Sequence, residues 1–125
     1  MPLNSRAKGA AGERELADEF CRLGLLARRT VQYSGKGGDD ADLRVEGLTA
    51  HIECKRTEVI RLDRWLEQVT LDCRGKPWII CTRQSRRPWL VIQTLEHWVE
   101  DSADAKRARD ARNDVFQRII DVGPV

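Results

Sequence analysis

The residues best equipped for chemistry sit close together in the middle of the chain. Asp42 ends one short apolar-polar run, and His51-Ile52-Glu53-Cys54-Lys55 opens the next, with Gly47-Leu48 between them. Carboxylate oxygens are the hard ligands that divalent cations prefer. A lysine beside them supplies positive charge for an attacking water or a phosphate oxygen. An acid followed at hairpin distance by Glu-x-Lys is therefore a layout for metal-assisted phosphodiester hydrolysis.

Strand geometry sharpens the pattern. Side chains alternate along a strand, so Asp42 and Arg44 share one face while Ala41, Leu43 and Val45 share the other. On the following strand Ile52 and Cys54 are expected to face the core, with His51, Glu53 and Lys55 facing out together. A two-residue turn at Gly47-Leu48 pairs 44 with 51 and 42 with 53. Directly opposed side chains are ~5 Å apart, and like charges there repel unless a cation bridges them. A slip of one residue would remove the pairing. His51 then lies on the same face and reads as a phosphate or solvent contact rather than a general base.

The elements that must position these residues can be read from periodicity. Residues near 9–23 form a helix whose apolar stripe is Leu16, Ala17, Phe20 and Leu23, with Gly24 as its stop. Glu13 falls in line with that stripe, where an unpaired charge is costly, while Glu15 points among solvated charges. Leu25 to Tyr33 reads as a strand, and Ser34 to Asp40 as a glycine-rich loop lacking the spacing of a Walker loop. Strands at Ala41–Val45 and Ala50–Arg56 follow. A helix near 61–74 buries Leu62, Trp65, Leu66, Val69 and Cys73. Buried strands are expected at Trp78–Cys81 and Trp89–Ile92, joined by a basic loop from Thr82 to Pro88. Leu95 to about Ile120 is helical, broken near Asp101-Ser102, and Ala105, Ala108, Val115 and Ile119 form a stripe on its second half.

Composition bounds the rest. The chain has 125 residues, 41% hydrophobic and 34% charged, which fits one globular domain spanning 1–125, with a core near 8–100 and a helical extension near 102–121. No apolar run reaches the ~18 residues of a membrane span, and the first residues lack the apolar stretch of a secretory signal. The four cysteines are scattered without a C-x-x-C pair, as in a reduced cytoplasmic protein without structural zinc. Net charge is only +2, but basic residues cluster locally: Arg28 with Arg29, Lys55 with Arg56, and Arg83 with Arg86 and Arg87. Arginine suits bidentate contact with phosphate.

Together, the Gly-Glu-Arg-Glu segment ending at Glu15, the acid-bearing strand, the Glu-x-Lys strand and the order of elements resemble the archaeal-type Holliday junction resolvases and their phage relatives, within the PD-(D/E)xK nuclease superfamily. The similarity runs from about Lys8 to Ile92, and Ala41 stands where the superfamily's name has proline. The resemblance implies an α/β fold with a central mixed five-stranded sheet flanked by helices, restriction-endonuclease-like. It also implies a Mg²⁺-dependent endonuclease, Mn²⁺ substituting, that acts on DNA four-way junctions as a homodimer in a bacterial, archaeal or phage-infected cell.

Residue by residue, the resemblance implies catalytic roles for Glu13, Asp42, Glu53 and Lys55. Asp42, Glu53, the Cys54 backbone carbonyl and Glu13 would hold metal. Lys55 would orient the attacking water, and Gln68 is an auxiliary candidate on the helix. Arg6, Lys8, Ser34, Lys36, Arg56, Arg83, Arg86 and Arg87 are expected against DNA phosphates. Two other readings share these residues: a restriction- or flap-type nuclease of the same superfamily, and a junction-binding module that does not cut.

Overall fold

Five strands form one mixed sheet in sequence order, and each follows from a local pattern. In the computed structural model, which describes residues 5–30 and 41–123, the strands are β1 (Ala27–Arg29), β2 (Leu43–Val45), β3 (His51–Arg56), β4 (Trp78–Arg83) and β5 (Leu90–Ile92). Strands β1, β2 and β3 are antiparallel neighbours, β3 and β4 run parallel, and β5 returns antiparallel to β4. The parallel step needs a crossover, supplied by helix α2 (Leu62–Asp72). Helix α1 (Ser5–Arg22) precedes the sheet. No described helix is long and apolar enough to cross a membrane.

Two clusters fill the core, one on each side of the sheet. Leu16 and Ala17 of α1 pack with Leu43, Val45, Ile52 and Cys81, with Phe20 and Trp89 at the margin. Trp65 and Val69 of α2 pack with Ile80, flanked by Leu66 and Trp78. The alternation expected for β2 holds, since Leu43 and Val45 are buried and Arg44 between them is exposed. Trp89 is half-buried against the cluster of Leu16 and Ala17. Four expectations differ. Leu90 and Val91 of β5, expected in a buried strand, are exposed, since β5 is an edge strand. Leu23 and Leu62 are 63% and 42% exposed, because each lies at an end of its helix beyond the packed turns. The first strand is only Ala27–Arg29, with Leu25 and Leu26 exposed before it, and 31–33 lie outside the described residues.

Helix α1 ends as a glycine-terminated helix should. Gly24 adopts φ +96°, and the Leu25 and Gly24 amides donate to the Phe20 and Cys21 carbonyls, the Schellman arrangement. Within the same helix, Gly12 permits close approach to β3: a Cβ there would lie 2.7 Å from the Arg56 Cβ. Gly9 has open space around it. The two glycines therefore predict opposite outcomes in thermal denaturation. Gly9→Ala should stabilise by roughly 0.5–1 kcal/mol through helix propensity. Gly12→Ala should destabilise by about 1–2 kcal/mol, because crowding against a backbone-anchored atom exceeds that gain.

The chain divides into two compact units, one ending at Ile92 and the other beginning at Gln93. The second holds α3 (Leu95–Asp101) and α4 (Ala103–Val122), separated at Ser102 as the sequence anticipates. Thr94 caps α3, its hydroxyl accepting the His97 amide at 3.1 Å. Val115 and Ile119 of the anticipated stripe are exposed.

Candidate active site

Backbone pairing places the two central carboxylates. Leu43 stands opposite Ile52, so Asp42 falls opposite Glu53, the register that the turn at Gly47 anticipates. Asp42 is fixed from both sides: its amide donates to the Ile52 carbonyl at 2.9 Å, and its carbonyl accepts the Thr30 amide at 3.0 Å. Its side-chain Oδ2 accepts the Cys54 amide at 2.8 Å. On a strand the N–H and C=O of one residue project to the same lateral side. The Cys54 carbonyl therefore projects toward the same side as the amide that meets Asp42.

The electrostatics follow from that geometry. Asp42 is raised from the ordinary carboxylate value to about 7, first because burial disfavours its charged form and second because Glu53 repels it. The Cys54 amide acts in the opposite direction, and Glu13 adds further repulsion. Two acids crowded in this way form a set that gains from a cation. The thiols do not compete for a chemical role: burial pushes Cys54 far up and Cys81 to about 12, so neither is a thiolate nucleophile near neutral pH.

The face carrying Glu53 is more enclosed than the sequence suggests. His51 and Glu53 are 2% and 3% exposed rather than facing solvent, because the parallel partner β4 and helix α2 lie on that side. His51 is therefore not a solvent or phosphate contact. Its Nε2 lies within hydrogen-bond distance, 2.7 Å, of Glu53 Oε1. Lys55, further along the strand, is half-buried and donates from Nζ to Gln68 Oε1 at 2.7 Å. Gln68, the auxiliary candidate on the helix, is thus in direct contact with Lys55.

Glu13 reaches the site from α1. Its Oε2 accepts from Arg29 Nε at 2.7 Å, which identifies the cation that a half-buried glutamate on this stripe requires. An open cleft of about 330 Å³ brings Glu13 and Lys55 together with Lys8, Arg56, Thr57, Arg61 and Trp65. Among the described residues no group of three or more His, Cys, Asp and Glu side chains is spaced to hold a metal ion. The structure joins Asp42 to Glu53 as a pair and Glu13 to Arg29.

Glu15 is the residue whose setting the sequence hid most. Instead of pointing among solvated charges, it is partly buried between two arginines. It accepts from Arg56 Nε at 3.1 Å and pairs closely with Arg83 Nη1. Arg56 also reaches Glu58, the Arg83 carbonyl and Ser85 at 3.3 Å each. The only sequence signal was Glu13-x-Glu15, too short to reveal partners on β3 and β4. Removing the charge by Glu15→Gln leaves Arg56 and Arg83 facing each other. The expected cost is about 1–2 kcal/mol in urea denaturation, moderated by partial exposure.

The remaining basic residues divide by location. Lys8 and the unanticipated Arg61 border the cleft. Arg86 and Arg87 are exposed on the loop between β4 and β5. Ser34 and Lys36 lie outside the described residues, as does the side chain of Arg6.

Neither a protein-family model nor a curated protein matches the chain. Among solved structures, it is similar to Hjc of Archaeoglobus fulgidus, a Holliday junction resolvase from an archaeal hyperthermophile. That likeness has a TM-score of 0.52 and 20% identity, and covers 68% of this chain and 76% of that one. At this identity the shared property is the fold: a mixed five-stranded sheet flanked by helices.

Proposed function

We propose that the chain is a divalent-metal-dependent DNA endonuclease acting on four-way junctions. The observation that carries this reading is the opposition of Asp42 and Glu53, with Lys55 farther along the same strand. Resolvase-like folding of the sheet supports the junction as substrate. Mg²⁺ fits the donor set, since two crowded carboxylates, one with a raised pKa, lack the positive charge that would reconcile them. Asp42, Glu53 and the Cys54 carbonyl would hold it, with Glu13 completing the set on release from Arg29. When bound, such an ion activates water and offsets charge on the phosphate.

The chain's own residues have distinct tasks. His51 holds the Glu53 carboxylate in one orientation from within the core. The Cys54 amide does the same for Asp42. Gln68 keeps the Lys55 ammonium at a set place from α2, where it can orient a water or meet a phosphate oxygen. A homodimer related by a twofold axis would present two such sites to the two symmetric strands of a junction.

The deciding experiment incubates end-labelled four-way junction and linear duplex of the same sequence with the protein in Mg²⁺. Paired symmetric nicks confined to the junction are expected. Equal cutting of both substrates would replace the junction reading with a general nuclease of the superfamily. Binding without any cutting would leave a junction-binding module.

A further inference from the structure

The sheet carries a second like-charge pair, of opposite sign to the first. In the β1–β2 ladder Arg28 stands directly opposite Arg44. Both are exposed, and among the described residues neither guanidinium has a hydrogen-bond or ion-pair partner. Opposed like charges destabilise a strand pair. The other arginines of the described strands are met by acids, Arg29 by Glu13 and both Arg56 and Arg83 by Glu15. Arg28 and Arg44 alone on these strands are left facing each other. Both line a groove of about 590 Å³, where Lys76 adds a cation and Glu46 one acid.

Position ties this pair to the proposed cutting site. Arg44 lies two residues beyond Asp42 on β2, so their side chains leave the same face of the sheet about 7 Å apart along the strand. Two guanidiniums at cross-strand distance can both direct N–H donors at one oxyanion. A backbone phosphate of the nucleic acid being cut is the anion that lies near Asp42 under the reading above.

We infer that Arg28 and Arg44 form a phosphate clamp that grips the DNA backbone beside the Asp42–Glu53 site. This rests on the proposed nuclease reading and assigns its grip to residues outside the Glu-x-Lys motif. Arg56 and Arg83, already engaged by Glu15, contribute less to that grip.

The test measures junction binding as a function of salt for wild type, Arg28→Gln, Arg44→Gln and the double variant, without divalent metal. The clamp predicts at least tenfold weaker binding in the double variant and a salt slope shallower by about 1. Each single change should give most of the loss, because the two side chains share one phosphate. Thermal stability of the DNA-free double variant should be unchanged or higher, which a merely structural pair would not show. If wild type binds and the double variant binds equally with the same slope, the clamp is overturned while the nuclease reading stands. If wild type binds through the pair but never cuts, the clamp stands and the nuclease reading fails. No binding by wild type at low salt overturns both.

Discussion

Asp42→Asn is expected to reduce junction cleavage in Mg²⁺ by about 10³-fold or more while preserving the fold. A single charge-stabilising group commonly contributes ~10²–10³-fold, and this one would also be a metal ligand. The replacement is gentle in every other respect. An asparagine carbonyl can still accept the Cys54 amide now bound by Asp42 Oδ2 at 2.8 Å. Its amino group can donate to Glu53, turning a repulsion into a hydrogen bond. The variant should therefore bind junction DNA at least as well as wild type and unfold at a higher temperature in the absence of metal. Single-turnover cleavage and a melting curve on the same preparation check both halves. Unchanged cleavage would remove Asp42 from the chemistry.

The second large effect is on stability against pH. Asp42 is raised in the folded chain to about 7 by burial and by Glu53, whereas the unfolded chain has an ordinary aspartate near ~4. A carboxyl that binds its proton more tightly when folded favours the fold at low pH. That advantage is fully present below the unfolded value, where both states are protonated and stability no longer changes with pH. Between about 4 and 7 the unfolded chain releases the proton first, so the metal-free fold loses stability as pH rises through this window. The loss should be on the order of 3 kcal/mol by pH 8. Urea titrations at pH 5 and pH 8 in chelator should show it. Asp42→Asn should flatten the difference, and saturating Mg²⁺ should reverse it for wild type alone. A wild-type profile that is flat, or rises across the window, would mean that Asp42 is not crowded as described.

These expectations show what the sequence could and could not disclose. Register was legible because Gly47 marks a tight turn, and the β2 alternation of Leu43, Arg44 and Val45 fixes which face is buried. The fold class was legible for the same reason, since each strand and helix carries its own period. Burial of His51 and Glu53 was not legible: it depends on β4 and α2 closing over that face, and an alternating strand does not reveal what covers its polar side. Glu15 was misread as solvated because its partners, Arg56 and Arg83, arrive from strands distant in sequence. Arg28 and Arg44 were visible only as basic residues until the ladder set them opposite each other.

Under the proposed function, Asp42 and Glu53 together form a divalent-cation site. Its most direct test is Mn²⁺ binding, followed by electron paramagnetic resonance at pH 7.5, in wild type, Asp42→Asn and Glu53→Gln. Saturable binding to wild type is expected, lost in both variants while their circular dichroism stays native. Equal Mn²⁺ binding by all three proteins would contradict it.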